Sequence, residues 1–166
     1  MRADKIYLVG FMGAGKSTLA TAIGARLDWR VEDIDTLVEQ REHLTVAEIF
    51  AQRGERHFRD AERAVLAELL PTRHAIIATG GGTYADPGNR SLINRDGVSM
   101  WLDVSLRRVI ERLPTDGRRP LASNRSEMER LFRARQSAYR HSHVRLDADR
   151  ASTGALVEQV VDWLES

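Results

Sequence analysis

The run Gly10-Phe11-Met12-Gly13-Ala14-Gly15-Lys16-Ser17 carries the plainest chemistry in the chain. It fits G-x-x-x-x-G-K-[ST], with a short apolar run before it and a helical pattern after it. That is the strand–loop–helix setting in which such a loop cradles phosphate. The glycines let the backbone curl until its N–H groups converge on phosphate oxygens. The N-terminus of the helix that follows adds partial positive charge. ATP contacts are therefore expected along Gly13, Ala14, Gly15, Lys16, Ser17 and Thr18. Lys16 should reach the β- and γ-phosphates, and Ser17 should coordinate Mg²⁺.

A second acidic feature follows at Asp33-Ile34-Asp35. Read as a strand end, alternate residues share a face, so both carboxylates point the same way. Their mutual repulsion is relieved by a cation or a hydroxyl donor between them. Asp33 is expected to hold Mg²⁺ through water, and Asp35 to accept the proton of an attacking hydroxyl. The alternative is a solvated strand end, with Asp35 capping the next helix.

Thr79-Gly80-Gly81-Gly82 offers bare backbone donors and close approach to a ligand, or else a pliant strand-to-helix turn. Arg59, beside Phe58 near a helix start, is either a ligand-facing group or an ordinary surface arginine. Pro114–Arg125 has the composition of a loop, with Arg118 and Arg119 able to close over a triphosphate. Arg133, Arg135, Arg140 and Arg145 follow, most of them expected to be solvated.

Five short apolar runs must position these groups: Ile6–Val9, Val31–Ile34, Ala75–Ala78, Ser99–Leu102 and Val144–Leu146. Helical stretches separate them. Ser17 to Leu27 places Leu19, Ala22, Ile23 and Leu27 on one face. Thr45-Val46-Ala47-Glu48 is a capping-box pattern. Phe58, Ala61, Val65, Leu66 and Leu69 form a stripe ended by Pro71, and Leu156, Val157, Val160, Val161 and Leu164 form another. Alternating strands and helices imply an α/β fold with a parallel sheet covered on both faces. Ligands in such folds bind beyond the carboxyl ends of the strands, where the Gly10–Ser17 loop, the Asp33–Asp35 pair and the Gly80–Gly82 triplet lie.

With 166 residues, the chain fits one domain spanning 1–166. Lys plus Arg is 25 against 24 for Asp plus Glu, which argues against a dedicated nucleic-acid binder. There is no cysteine, hence no disulfide and no thiolate metal site. No run is long enough to cross a bilayer, and a cytoplasmic monomer is expected. The five histidines show no metal-binding spacing, and Trp29, Trp101 and Trp163 read as packing residues.

Together the motifs resemble one family, shikimate kinase, in the nucleoside-monophosphate-kinase-like group of P-loop folds. The resemblance rests on GFMGAGKST at Gly10–Thr18, D-x-D at Asp33 and Asp35, and IF-x₃-GE-x₂-FR-x₂-E at Ile49–Glu62. It also rests on the triplet Gly80–Gly82, RPL at Arg119–Leu121 and R-x₃-Y at Arg135–Tyr139. It implies transfer of the ATP γ-phosphate to the 3-hydroxyl of shikimate, with Mg²⁺ as cofactor. It further implies a three-layer P-loop fold, a five-stranded sheet in the order 2-3-1-4-5, and a mobile lid at about 113–125. In that resemblance Asp35 binds the shikimate hydroxyls and acts as base, and Arg59 and Arg135 clamp its carboxylate. Gly81 and Gly82 offer backbone donors, Arg119 is the lid arginine with Lys16 as its catalytic companion, and Arg112 flanks adenine. A carboxylate does call for fork-shaped arginine donors. A kinase for another carboxylated polyol such as gluconate, or a non-catalytic ATP-binding paralogue, shares most of these features. His43, where a helix-ending glycine is common, and Gln136–His141 depart from the family pattern.

Overall fold

Lys5, Ile6, Tyr7, Leu8 and Val9 are all buried, so the first strand is covered on both faces. That is the environment of a central strand in a parallel sheet. The computed structural model describes residues 1–112 and 125–166. Its strands are β1 (Lys5–Val9), β2 (Arg30–Asp33), β3 (Ala75–Ala78), β4 (Val98–Asp103) and β5 (Val144–Asp147). They lie in the order β2-β3-β1-β4-β5, and every pairing is parallel. The order 2-3-1-4-5 agrees with the expectation. It puts β1 between β3 and β4, so the loops after β1, β2 and β3 open side by side at one edge.

The helices are α1 (Lys16–Leu27), α2 (Ile34–Glu42), α3 (Val46–Arg53), α4 (Glu55–Leu69), α5 (Pro87–Asp96), α6 (Leu106–Arg112), α7 (Arg125–Tyr139) and α8 (Thr153–Glu165). A single 3-10 turn at Thr83–Ala85 follows the glycine triplet. α1 packs on α8, and α2, α3 and α4 pack on one another. Buried Leu19, Ala20 and Ile23 supply the inner face of α1. Leu156, Val157, Val160, Val161 and Leu164 supply that of α8. Thr45 caps α3: its Oγ1 accepts from the Glu48 N–H at 3.1 Å and donates to Glu48 Oε1 at 3.1 Å. A cap of this kind stabilises a helix by about 1 kcal/mol.

The second strand ends one residue earlier than expected, because Ile34 opens α2. Asp33, in extended conformation, is the residue that caps α2 by accepting from the Thr36 N–H, and Asp35 lies in the first turn. Strand alternation therefore does not align the two carboxylates. The strand-to-helix turn separates them, and Asp35 is not the cap.

A polar cluster closes the opposite end of the sheet. Lys5, wholly buried, donates from Nζ to the Leu69 carbonyl at 2.5 Å and pairs with Asp96 at 2.7 Å. Tyr7 donates to the same carboxylate at 2.5 Å, and Arg73 bridges Asp96 and Asp4 at 2.9 and 2.7 Å. The cluster ties the last turn of α4 to the last residue of α5. Burial pushes the Asp96 carboxyl up, but the bonds from Lys5, Tyr7 and Arg73 outweigh it and hold the group below the usual carboxylate range. No helix among the described residues is long and apolar enough to cross a membrane.

Candidate active site

The phosphate loop leaves β1 at Gly10 and enters α1 at Lys16. Gly13 and Gly15 have φ of 74° and 99°, the left-handed values that glycine adopts without a Cβ penalty. The Ala14 N–H donates to the Phe11 carbonyl at 3.2 Å and closes the turn. Lys16 is buried, and its Nζ donates to the carbonyls of Gly10 at 2.6 Å and Phe11 at 2.8 Å. The ammonium thus lies across the mouth of the loop. Ser17 donates to Asp33 Oδ2 at 2.5 Å, which joins the loop to the end of β2. Thr18 is exposed in the first turn of α1. Arg112, the last residue of α6, donates from Nη1 to the Ala14 carbonyl at 3.2 Å, so it lies against the loop from the β4 side.

The glycine triplet lies beside this loop, and four side chains crowd it. A Cβ added at Gly80 would come within 2.6 Å of Asp35 Oδ1 and 3.3 Å of Glu62 Oε2. One at Gly81 would lie 3.2 Å from Arg135 Nη1 and 3.2 Å from the Met12 backbone nitrogen. One at Gly82 would lie 2.5 Å from Arg59 Nη2. The triplet is therefore the floor on which Asp35, Arg59 and Arg135 converge, and any side chain there would displace them. A pliant turn alone would not need three glycines. This geometry does.

Arg59 is not a surface arginine. Its side chain is 20% exposed, lies over the Phe58 ring and pairs with Glu62 at 3.2 Å and Glu55 at 3.4 Å. Arg135 is 7% exposed, whereas Arg133, Arg140 and Arg145 on the same stretch are exposed. Burial pushes the Arg135 guanidinium down from its ordinary value, and the neighbouring positive charge of Arg59 adds to this. Arginine stays charged under such pressure, so two confined cations face one cleft. The cleft holds about 300 Å³ and is lined by Arg59, Arg135, Glu62, Gly82, Asp86 and Asn89 among others.

Glu62 carries no role in the sequence reading, yet it organises this wall. It is fully buried, pairs with Arg59, and accepts from Thr83 Oγ1 at 2.8 Å, which in turn accepts from the Gly80 N–H at 2.9 Å. Burial pushes its carboxyl up, partly offset by Arg59. Its signal was its place inside an apolar stripe: Phe58, Ala61, Val65, Leu66 and Leu69 share its buried face. A carboxylate there is desolvated and needs partners. Tyr139, which the sequence shows only as the end of the R-x₃-Y motif, donates its hydroxyl to the Gly81 carbonyl at 2.7 Å.

Ser17 and Asp33 are hard oxygen groups beside the phosphate loop, the donor type Mg²⁺ takes alongside phosphate oxygens and water. Among the described residues no group of three His, Asp or Glu could hold a metal by itself. Arg119 and the expected lid at 113–125 lie outside the described residues, save Arg125, the first residue of α7.

The fold recurs in known proteins. A shikimate kinase of Sulfurihydrogenibium sp. is 38% identical over 157 residues, covering 94% of this chain and 95% of that protein. One of Moorella thermoacetica is 35% identical over 167 residues, covering 97% and 96%. The structure of Acinetobacter baumannii shikimate kinase in complex with shikimate superposes with a TM-score of 0.92 at 28% identity, covering 98% of this chain and 93% of that one. A family model described as shikimate kinase matches residues 12–165. The chain belongs to the shikimate kinase family of ATP-dependent kinases.

Proposed function

We propose that this chain moves the γ-phosphate of ATP to the 3-hydroxyl of shikimate through the residues gathered at the glycine triplet. The observation that carries the reading is the convergence of Asp35, Arg59 and Arg135 on Gly80–Gly82, next to the phosphate loop. One end of that floor offers a carboxylate, suited to a hydroxyl. The other offers two cations against the single buried charge of Glu62, suited to a carboxylate. Shikimate carries both groups, and a relative of the same fold binds it.

In this reading Gly13, Ala14, Gly15, Ser17 and Thr18 wrap the triphosphate with backbone and hydroxyl groups. Lys16 leaves the Gly10 and Phe11 carbonyls for the β- and γ-phosphates. Ser17, with Asp33 through water, holds Mg²⁺, which when bound neutralises charge on the phosphate oxygens. Arg59 and Arg135 clamp the substrate carboxylate, while Gly81 and Gly82 present N–H donors to the ring substituents. Asp35 accepts the proton of the 3-hydroxyl as its oxygen bonds to the γ-phosphorus. The bond from that phosphorus to the bridging oxygen breaks, and ADP leaves with the electron pair. Arg119 stabilises the transferring charge, and Arg112 flanks adenine. The reading includes a cytoplasmic monomer as the working unit.

ADP release with MgATP tests this directly, using shikimate, gluconate and AMP as parallel acceptors. Turnover with shikimate alone is expected. Turnover with gluconate alone would reassign Arg59 and Arg135 to another acid, and turnover with none would remove the kinase reading.

A further inference from the structure

Tyr139 has chemistry that the phosphoryl transfer described above does not use. It lies four residues after Arg135 on α7, so the two side chains share one face. It is fully buried, with its ring 5.9 Å from that of Trp101. A phenol has one proton to give, and this one is committed to the Gly81 carbonyl at 2.7 Å. Arg135 Nη1 reaches the same glycine, 3.2 Å from where a Cβ on Gly81 would lie, so hydroxyl and guanidinium meet at Gly81, and the Arg135 charge acts on the phenol against the effect of burial. Burial raises the hydroxyl above its ordinary range, so it keeps the proton that the Gly81 bond requires.

We propose that Tyr139 is a positioning residue that aims the Arg135 guanidinium at the substrate carboxylate. The inference rests on the carboxylate-binding role given to Arg135 above. The two arginines are held in different ways. Arg59 is fixed by the carboxylates of Glu62 and Glu55, whereas no ion pair joins Arg135 to another described residue. An acidic partner would orient Arg135 but cancel the charge the substrate needs. A neutral hydroxyl, itself pinned by a backbone carbonyl, orients the guanidinium and leaves its charge for the ligand. The Phe11 ring, 5.9 Å from the Arg135 guanidinium, limits its movement on another side. Each arginine thereby reaches the glycine floor beside a bonded companion: Arg59 is linked through Glu62 and Thr83 to Gly80, and Arg135 lies at Gly81, whose carbonyl holds Tyr139.

The test is steady-state kinetics on Tyr139→Phe, which removes the hydroxyl and keeps the ring against Trp101. KM for shikimate should rise roughly three- to ten-fold, the net worth of one ordinary hydrogen bond, with KM for ATP unchanged. In an Arg135→Ala background the same change should add less than about two-fold, because a residue acting through Arg135 has nothing left to aim. Trp101→Phe serves as the packing control, and it should leave KM for shikimate within about two-fold. An unchanged shikimate KM in Tyr139→Phe overturns the proposal, as does an equal rise in Trp101→Phe. If the unaltered protein fails to use shikimate while using another acceptor, the substrate reading itself has failed, and that is seen before any variant is compared.

Discussion

Ser17 Oγ donates to Asp33 Oδ2 at 2.5 Å, so the last residue of the phosphate-loop motif and the last residue of β2 form one oxygen pair. Asp33 also caps α2. Asp33→Asn keeps a capping oxygen and discards the charge. The Mg²⁺ concentration for half-maximal rate should rise roughly 10- to 100-fold, with little change in melting temperature. Unaltered Mg²⁺ dependence would show that Asp33 serves α2 alone.

Asp35 lies against Gly80, in the first turn of α2 rather than at its cap. Asp35→Asn should reduce kcat roughly 100- to 10,000-fold, the usual worth of a positioned base. Calorimetric titration should find ATP binding retained. Near-normal kcat would remove the base assignment.

Arg59 faces the cleft from α4, and its loss leaves the substrate carboxylate to Arg135 alone and deprives the buried Glu62 of its ion-pair partner. Arg59→Ala should raise KM for shikimate about 30-fold or more, since truncating one side of a buried charge pair typically costs at least 2 kcal/mol. KM for ATP should stay constant. Parallel rises in both constants would point to a general loosening of the fold.

Asp96 gives a pH-dependent stability term. Its folded-state carboxyl is held below the usual range, by Lys5, Tyr7 and Arg73 against the effect of burial. A depressed acid contributes stability above its unfolded pKa, near 3.9, and loses it as pH falls through the lower folded value. Asp96→Asn should therefore lower unfolding free energy by about 3 kcal/mol at neutral pH, because Lys5 keeps its charge in a buried site. The gap from the unaltered protein should narrow below about pH 4. Denaturant titrations at several pH values measure it, and a gap independent of pH would assign the effect to packing.

His43 ends α2 with φ 56° and ψ 32°. A side chain in this left-handed region costs roughly 1 kcal/mol, and glycine is the usual occupant. His43→Gly should raise stability by up to about that amount and leave kinetics untouched, as thermal melts and ADP release will report.

The local features were legible because local physics sets them. The phosphate loop needs only closely spaced glycines, a lysine and a serine between a strand and a helix, and the Thr45 cap needs only Thr45 and Glu48 three residues apart. Ala75–Ala78 reads as a strand from its apolar run alone. The order of the strands was reached through the family resemblance, not from periodicity. Asp33 and Asp35 were visible as a pair, but the point where strand gives way to helix was not. It depends on Ile34 packing into the core, a long-range contact. The same holds for Glu62, Arg135 and Tyr139. Their residue types and helical phase lie in the sequence, while their partners lie about 20 to 60 residues away, at Thr83 and Gly81. Whether a charged side chain on a helix is solvated or buried is decided by what the sheet brings opposite it. Only the folded chain brings the glycine floor against α4 and α7, and that contact confines two arginines among many to the lining of one cleft.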